Sequence, residues 1–351
     1  MAYVDLLQQN VTLTTSDATT YSFSDTLPPS QDGSPHITHL GIQLDGLFTK
    51  AADPSAVLNS NLSGLVTSYK VQVGSEIICD WYSPAATGAL DVVPQFGALC
   101  QTLGGDDFMI LDSTNAAAAT STFLGQFTLP VGLDASKAHR INVTLGFADV
   151  NTWSAGTGFN TGSTDLNIVV QYGTSTEATI IGGRQDNLIS ANAQRTVTIM
   201  GKKGWSMLGI LACSDTYTVD NFSHYKINNG QFRQLSVEQW RAIAGRYRSS
   251  PYQYLTAGND ASSASGVASA VVYKPEQKGV VFLNLFRISA GADLQIQIQG
   301  STAVAEANTS SIFPIWVAGI GQGPSGRPNQ GAKQIDSPTK TVLNEQQSSN
   351  V

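Results

Sequence analysis

Three aspartates beside a pair of glycines have types and spacing that could bind a metal ion. Asp106, Asp107 and Asp112 follow Gly104 and Gly105. Carboxylate oxygens are the ligands that Ca²⁺ prefers, and glycines allow a loop to turn tightly around an ion. Three carboxylates without EF-hand spacing give a weak candidate for a calcium site. The other interpretation is a solvated loop tip.

Two histidines, His36 and His39, form an HxxH pattern. Residues i and i+3 of a strand point to opposite faces, so this pair is poorly placed to share a metal ion. We therefore expect His39, together with the similarly placed His224, to form structural hydrogen bonds.

A glycine-rich run from Gly321 to Gly326 matches the GxGxxG pattern of dinucleotide sites. Such a site needs a helix directly after it, because the helix N-terminus binds the pyrophosphate. Here the run contains Pro324 and continues into a segment without apolar periodicity. We interpret it as a glycine-rich linker.

Motifs of covalent and metal-assisted catalysis are missing from the sequence. It contains no GxSxG, HExxH or GxxxxGK[ST] pattern. The three cysteines, Cys79, Cys100 and Cys213, are far apart, which argues against a thiolate zinc site or a disulfide framework and favours free thiols in a reducing cytosol. We predict no catalytic residues, no cofactor and no enzymatic activity.

A basic and aromatic patch follows the second predicted helix. Its members are Arg241, Arg246, Arg248, Tyr247, Tyr252 and Tyr254. Such a patch can stack on bases and contact phosphates, but Arg and Tyr are also enriched in contacts between subunits. We favour subunit contacts, because the chain has no long basic tract and its net charge is −7.

The candidate residues above must be positioned by the elements of the fold, and most of the predicted elements are strands. Their apolar and polar residues alternate with a period of two. The segment from Leu294 to Gln299 alternates strictly, and so does the segment from Ile141 to Phe147. This pattern is typical of half-buried strands in antiparallel sheets. Further predicted strands are 40–44, 76–82, 123–129, 166–172, 195–200, 205–211, 279–288 and 312–318.

Two short helices interrupt the predicted strands. Asp53 can cap a helix over Pro54–Val66. Ser236 and Gln239 form a capping box for a helix over Val237–Tyr247.

A weak internal repeat suggests that the chain consists of two similar halves. The strand and turn pattern around His39 recurs around His224, 185 positions later. With 351 residues, the length also favours two domains. We predict domains over residues 1–172 and 173–321, with a boundary near Gly173–Thr176. The glycine- and proline-rich residues 322–351 should form a flexible C-terminal arm.

Charge is low and unevenly distributed. Charged residues make up 13% of the sequence, about half the usual share. Residues 1–172 contain 4 basic and 15 acidic side chains, whereas residues 173–351 contain 15 basic and 11 acidic ones. A neutral polar surface suits packing against neighbouring molecules, and opposite charges on two modules can set how they pair.

The tandem β-rich halves, the helix predicted in each and the flexible end resemble the double jelly-roll major capsid proteins of tailless, membrane-containing icosahedral viruses, in particular bacteriophages. The resemblance implies an all-β fold of two tandem eight-stranded jelly rolls, each with a short inserted helix. It also implies a homotrimer that forms a pseudo-hexagonal capsomer of the virion shell and is made in the host cytoplasm. Its partners would be neighbouring capsomers, minor capsid or penton proteins and an internal lipid membrane, without sequence-specific binding to nucleic acid.

Two other functions are compatible with a β-rich chain. One is a carbohydrate-binding or carbohydrate-cleaving β-sandwich, such as a phage receptor-binding protein, with a sugar groove formed by Trp81, Tyr82, Trp153 and Trp205. We expect these tryptophans to lie in the core instead. The other is a bacterial surface module, which the lack of a recognisable signal peptide disfavours.

Overall fold

The structure is a computed structural model and describes fourteen stretches of the chain. They are residues 3–12, 18–49, 65–82, 99–100, 103–111, 120–149, 158–159, 162–175, 177–183, 185–188, 194–214, 222–234, 280–299 and 309–319.

Nineteen strands make up most of these residues. They are β1 (Tyr3–Thr12), β2 (Thr19–Leu27), β3 (His36–Thr49), β4 (Val66–Val73), β5 (Glu76–Tyr82), β6 (Asp107–Leu111), β7 (Thr120–Asp134), β8 (His139–Phe147), β9 (Gly158–Phe159), β10 (Asp165–Gly173), β11 (Glu177–Ile181), β12 (Gln185–Leu188), β13 (Gln194–Ile199), β14 (Ser206–Ser214), β15 (Phe222–Ile227), β16 (Arg233–Gln234), β17 (Val280–Ile288), β18 (Leu294–Gln299) and β19 (Thr309–Gly319).

The first half pairs its strands in two groups of four. One group has the order β1-β10-β3-β7, and the other has the order β5-β4-β8-β2. Strands β6 and β9 are additions that pair with β7 and β3. When the remaining eight principal strands are numbered 1 to 8 in chain order, the two sheets have the orders 1-8-3-6 and 2-7-4-5. Two facing antiparallel sheets with these long connections form a jelly roll.

The second half repeats this order. Its first sheet is β11-β19-β14-β17, and its second sheet is β13-β18-β15-β16. Counted from β11, with β12 as an addition that pairs with β19, the strands again follow the orders 1-8-3-6 and 2-7-4-5. The chain is a double jelly roll. The prediction of an all-β fold with two tandem eight-stranded rolls is therefore confirmed.

The two rolls are joined edge to edge. Strand β11 of the second roll runs parallel to β5 of the first, with Ile181 opposite Cys79. This pairing makes one nine-stranded sheet from one sheet of each roll and β12. Ile181 and Phe313 of the second roll are buried in the same apolar cluster as the core of the first roll. The junction is therefore part of a core.

Alternation explains why the sheets have one apolar face each. In β8 the side chains of Ile141, Val143 and Leu145 are buried, while Arg140 is exposed. Because successive strand residues point to opposite faces, every second residue can enter the core. A separate cluster around Trp205 and Leu294 forms the core of the second roll.

The predicted strands match observed ones, from β5 at residues 76–82 to β19 at residues 309–319. The sequence repeat, however, was matched wrongly. His39 lies in β3, the third strand of its roll, whereas His224 lies in β15, the fourth strand of the second roll. A strand followed by a glycine turn is common to most antiparallel hairpins, so the two segments look alike without being equivalent.

The predicted helices lie almost wholly outside the described residues. At the end of the first one, Val66 begins β4 and is not helical. Leu99 and Cys100 are helical and lie between the fifth and sixth principal strands of the first roll. In chain order, residues 237–247 lie between the fifth and sixth strands of the second roll, outside the described residues.

Candidate functional site

A polar network lies on the face of the first 1-8-3-6 sheet that points away from the core. Oδ2 of Asp106 accepts hydrogen bonds from Nε2 of Gln126 at 3.0 Å and from Nε2 of Gln171 at 2.8 Å. Oε1 of Gln126 in turn accepts one from Nε2 of Gln43 at 3.2 Å. The backbone N–H of Asp106 donates to Oγ1 of Thr128 at 2.8 Å. One carboxylate thus links strands β7 and β10 across β3.

This network bears on the calcium hypothesis. Two amide donors already occupy one oxygen of Asp106, and a cation there would have to displace them. Asp107 is buried at the start of β6, and Asp112 lies outside the described residues. Within the described ranges, no three His, Cys, Asp or Glu residues are grouped so that they could hold a metal ion. The calcium site stays a prediction.

The two histidines of the HxxH pattern form separate hydrogen bonds near the junction of the rolls. Nδ1 of His36 accepts the backbone N–H of Ser175 at 3.2 Å. Nδ1 of His39 lies 3.1 Å from Oγ1 of Thr38. The side-chain hydroxyl of Ser175 donates to the carbonyl oxygen of Glu177 at 2.9 Å. The structural role of His39 stays a prediction, and His36 anchors the linker between the rolls.

A cleft of about 520 Å³ opens between the two rolls beside this linker. The first roll contributes Thr38, His39 and Gln171, and the second contributes Thr179, Leu208 and Val317. The linker residues Gly173–Ser175 and Glu177, together with Leu103 and Pro130, complete the lining. Its walls therefore combine apolar side chains, hydroxyls, an imidazole and a carboxylate.

The imidazole in this cleft is electrostatically perturbed. Burial lowers the pKa of His39 below its ordinary value, and the nearby charge of Asp106 opposes that shift only in part. A buried imidazole without full compensation favours its neutral form. His39 is thus neutral in the folded chain at pH 7.

The folded chain should lose stability on mild acidification because of His39. Its pKa is lower in the folded state than the unfolded value of about 6.5. The stability that the neutral imidazole of His39 contributes is therefore complete above about pH 6.5. It is lost as the pH falls from there towards the pKa of the folded state. We expect the free energy of unfolding to decrease less between pH 7 and pH 5.5 in His39→Gln than in the unaltered chain. Equal decreases in chemical denaturation would contradict this assignment.

The outer faces of the two 2-7-4-5 sheets are polar, with many hydroxyl and amide side chains beside a few charged ones. In the first roll, Oγ of Ser24 donates to Oδ1 of Asn142 at 2.6 Å across β2 and β8. In the second, Nε2 of Gln194 donates to Oε1 of Gln297 at 2.9 Å across β13 and β18. These hydroxyl and amide rows can form hydrogen bonds with another protein surface at a smaller desolvation cost than ionic side chains.

The sugar-groove hypothesis fails for two of its four aromatic residues. Trp81 and Trp205 are 1% and 0% exposed, so neither can stack on a carbohydrate. Core burial, which we expected for them, is confirmed. The side chains of Tyr82 and Trp153 lie outside the described residues, as do the Arg and Tyr patch and the GxGxxG run.

Sequence reasoning missed the junction and its cleft. The participating residues, such as Gln171 and Thr179, are polar strand residues of ordinary type. They come together only through long-range pairings, of β10 with β3 and of β11 with β19 and β5. The one available signal was the polar linker 173–176, which was recognised as a boundary.

Neither a family model nor a curated protein sequence matches the chain. Among solved structures, it is similar to the STIV MCP, with a TM-score of 0.47 and 13% identity over 90% of this chain and 96% of that chain. It is also similar to the major capsid protein P2 from Bacteriophage PM2, with a TM-score of 0.44 and 9% identity over 91% and 99%. The third similar structure is that of the Sputnik virophage, with a TM-score of 0.41 and 10% identity over 90% of this chain and 85% of that chain. The strand order within each half, and not these distant superpositions, is the basis of the fold assignment.

Among the described residues, no helix has the length and apolar character needed to cross a membrane.

Proposed function

We propose that this chain is the major capsid protein of an icosahedral virus and forms the virion shell. The observation that carries the proposal is the repeated strand order 1-8-3-6 and 2-7-4-5, with the two rolls fused through one nine-stranded sheet. Two similar modules joined rigidly give one molecule two comparable sets of side faces. Three such molecules around a threefold axis present six modules, which suits a hexagonal lattice.

The polar outer faces support this role. Shell subunits need extended contact surfaces and little mutual repulsion. A charged fraction of 13% limits repulsion between copies packed side by side.

In this proposal, residues 1–172 and 173–321 are the two jelly-roll domains and residues 322–351 are an arm that contacts neighbouring molecules. The chain forms a homotrimeric capsomer whose partners are other capsomers, minor capsid or penton proteins and an internal membrane. It is made in the host cytoplasm and has a structural role without catalysis. The opposite formal charges of the two halves favour contact between the first roll of one copy and the second roll of the next.

Native mass spectrometry and electron microscopy of the purified protein test the proposal. We expect a species of three times 37.1 kDa and, in assembly buffer, closed shells with hexagonal surface units. A protein that remains monomeric under all conditions and binds glycans in an array would overturn it in favour of a carbohydrate-binding protein.

Removal of residues 322–351 should separate folding from assembly. All nineteen described strands end at or before Gly319, so we expect the melting temperature to stay within a few degrees of that of the full chain. We expect the yield of closed shells to fall at least tenfold. A matched control replaces the arm with a Gly/Ser segment of equal length, which keeps the tether but removes its side chains. An unchanged shell yield in both variants would show that the arm has no role in assembly.

A further inference from the structure

The two rolls have their short turns on the same side of the molecule. In the first roll, the turns at one end are residues 28–35, 74–75 and 135–138. In the second roll, the turns at the corresponding end are residues 200–205, 228–232 and 289–293. Strands β5 and β11 each start at this end of their roll and run parallel to each other. The short-turn ends of the two rolls therefore lie side by side.

Exposed apolar side chains are concentrated at this end. Among the described residues, the large hydrophobic side chains that are exposed are Val4, Ile77, Met200 and Phe232. Each is either the second residue of a strand that starts at this end or a member of one of the short turns. Single exposed apolar residues are normal on a protein surface, but their grouping on one side points to a contact with another apolar phase.

Hydrogen bonds between the turns of the second roll fix two of these residues in place. Oδ1 of Asp293 accepts the backbone N–H of Gly201 at 2.6 Å. The backbone N–H of Asp293 donates to Oδ1 of Asn228 at 2.9 Å, and the N–H of Asn228 donates to the carbonyl oxygen of Asp293 at 2.9 Å. Gly201 directly follows Met200, and Asn228 begins the turn that ends at Phe232. Both apolar side chains thus project from turns that are tied together.

Basic side chains surround these two apolar ones. Nζ of Lys226 lies 5.0 Å from the ring centroid of Phe232. Arg233 is the next residue and is exposed, and Lys203 is exposed in the same turn as Met200. The name basic turn patch is used below for Met200, Lys203, Lys226, Phe232 and Arg233.

Acidic groups do not balance this charge at the end of the second roll. Asp293 is the only acidic residue in the turns 200–205, 228–232 and 289–293. Glu76 of the first roll lies 3.9 Å from Nζ of Lys202 and offsets that lysine. At this end of the first roll, by contrast, charges of both signs are mixed, and Asp134 lies 3.4 Å from Lys137. The excess of positive charge is therefore a feature of the second roll.

We infer that the basic turn patch docks on an anionic lipid bilayer, with Met200 and Phe232 at the depth of the headgroups. Apolar side chains among cations gain both from apolar burial and from attraction to anionic lipid. Nucleic acid would attract the same cations but would leave the apolar side chains in water. The inference rests on the proposed function for the presence of a membrane beneath the shell, and it assigns the surface that faces this membrane.

Flotation of the full-length protein that is not assembled into shells tests the charge of the patch. We expect the protein to float with phosphatidylglycerol vesicles and not with phosphatidylcholine vesicles. Lys203→Gln combined with Arg233→Gln should weaken binding about 30-fold, because each cation at an anionic surface contributes about a factor of five. Arg195→Gln removes an exposed cation from the opposite end of β13 and should leave binding unchanged. No flotation of the unaltered chain, or equal losses in Lys203→Gln and Arg195→Gln, would overturn the inference.

The apolar side chains distinguish a bilayer from nucleic acid. Met200→Ser combined with Phe232→Ser should weaken binding to phosphatidylglycerol vesicles about tenfold. Both side chains are exposed, so the melting temperature should change little. Vesicle binding that is unaffected by this double variant, or tighter binding of the unaltered chain to duplex DNA than to the vesicles, would overturn the lipid assignment in favour of a polyanion site.

Shell formation is measured separately by electron microscopy of the same preparations. Shells without vesicle binding would overturn the inference and leave the proposed function standing. Vesicle binding with the expected losses, but without shells under any condition, would overturn the proposed function and leave the lipid-binding surface standing.

Discussion

Replacement of Trp81 by alanine is expected to lower the free energy of unfolding by about 3–5 kcal/mol. Trp81 is 1% exposed, and its ring stacks on Phe313 with 6.2 Å between ring centroids and 29° between ring planes. The two residues belong to different rolls, so the cavity would open at the junction. Chemical denaturation of the variant and of the unaltered chain measures the difference.

A double-mutant cycle with Phe313→Ala isolates the contact between the rolls. Stacked aromatic pairs contribute about 0.5–1.5 kcal/mol beyond their buried area, so we expect a coupling energy of that size. Fully additive losses would mean that the two rings contribute to stability independently of each other. Trp205→Ala, in the core of the second roll, should also be destabilising but should show no coupling to Phe313→Ala.

Gly132→Ala is the second substitution with a large expected effect. Gly132 has a φ of +63°, and a Cβ atom there would collide with the carbonyl oxygen of Glu177 at the start of the second roll. The left-handed conformation costs about 1–2 kcal/mol for a residue with a side chain, and forcing the two strands apart adds about 1–3 kcal/mol. We expect a total loss of about 2–5 kcal/mol.

Gly74→Ala is the matched control for this substitution. Gly74 has a nearly identical φ of +59°, but no atom lies within 4 Å of a Cβ placed there. Gly74→Ala should therefore lower the free energy of unfolding only by the cost of the left-handed backbone conformation, about 1–2 kcal/mol. Thermal unfolding of both variants compares them directly. Equal losses would show that β7 and β11 tolerate separation and that the junction is looser than described.

Much of the fold could be predicted from local pattern. The alternation in residues 294–299 and 141–147 predicted β18 and β8 correctly, because one face of each of these strands is buried in the core and the other is not. Strand β2 was missed, because Thr19 and Asp25 interrupt the apolar series that Tyr21, Phe23 and Leu27 form on its inward side. An edge strand with a half-buried inner face leaves a weak signal.

The arrangement of the two rolls could not be predicted in the same way. The pairing of Ile181 with Cys79 joins residues 102 positions apart, and no local pattern encodes such a contact. The cleft depends on this pairing and on the end of β19. The repeat of His39 and His224 led to the correct number of rolls through a wrong match, because similar hairpins occur throughout an antiparallel fold.

The nine-stranded sheet has a consequence for the mechanics of assembly. A hinge between the rolls would have to open the backbone bridge from β11 to β5 and expose the apolar cluster that Ile181 and Phe313 enter. Each molecule then behaves as a stiff plate. If such plates cover a closed surface, its curvature must come from the angles at which separate molecules meet, and none of it from bending within a molecule.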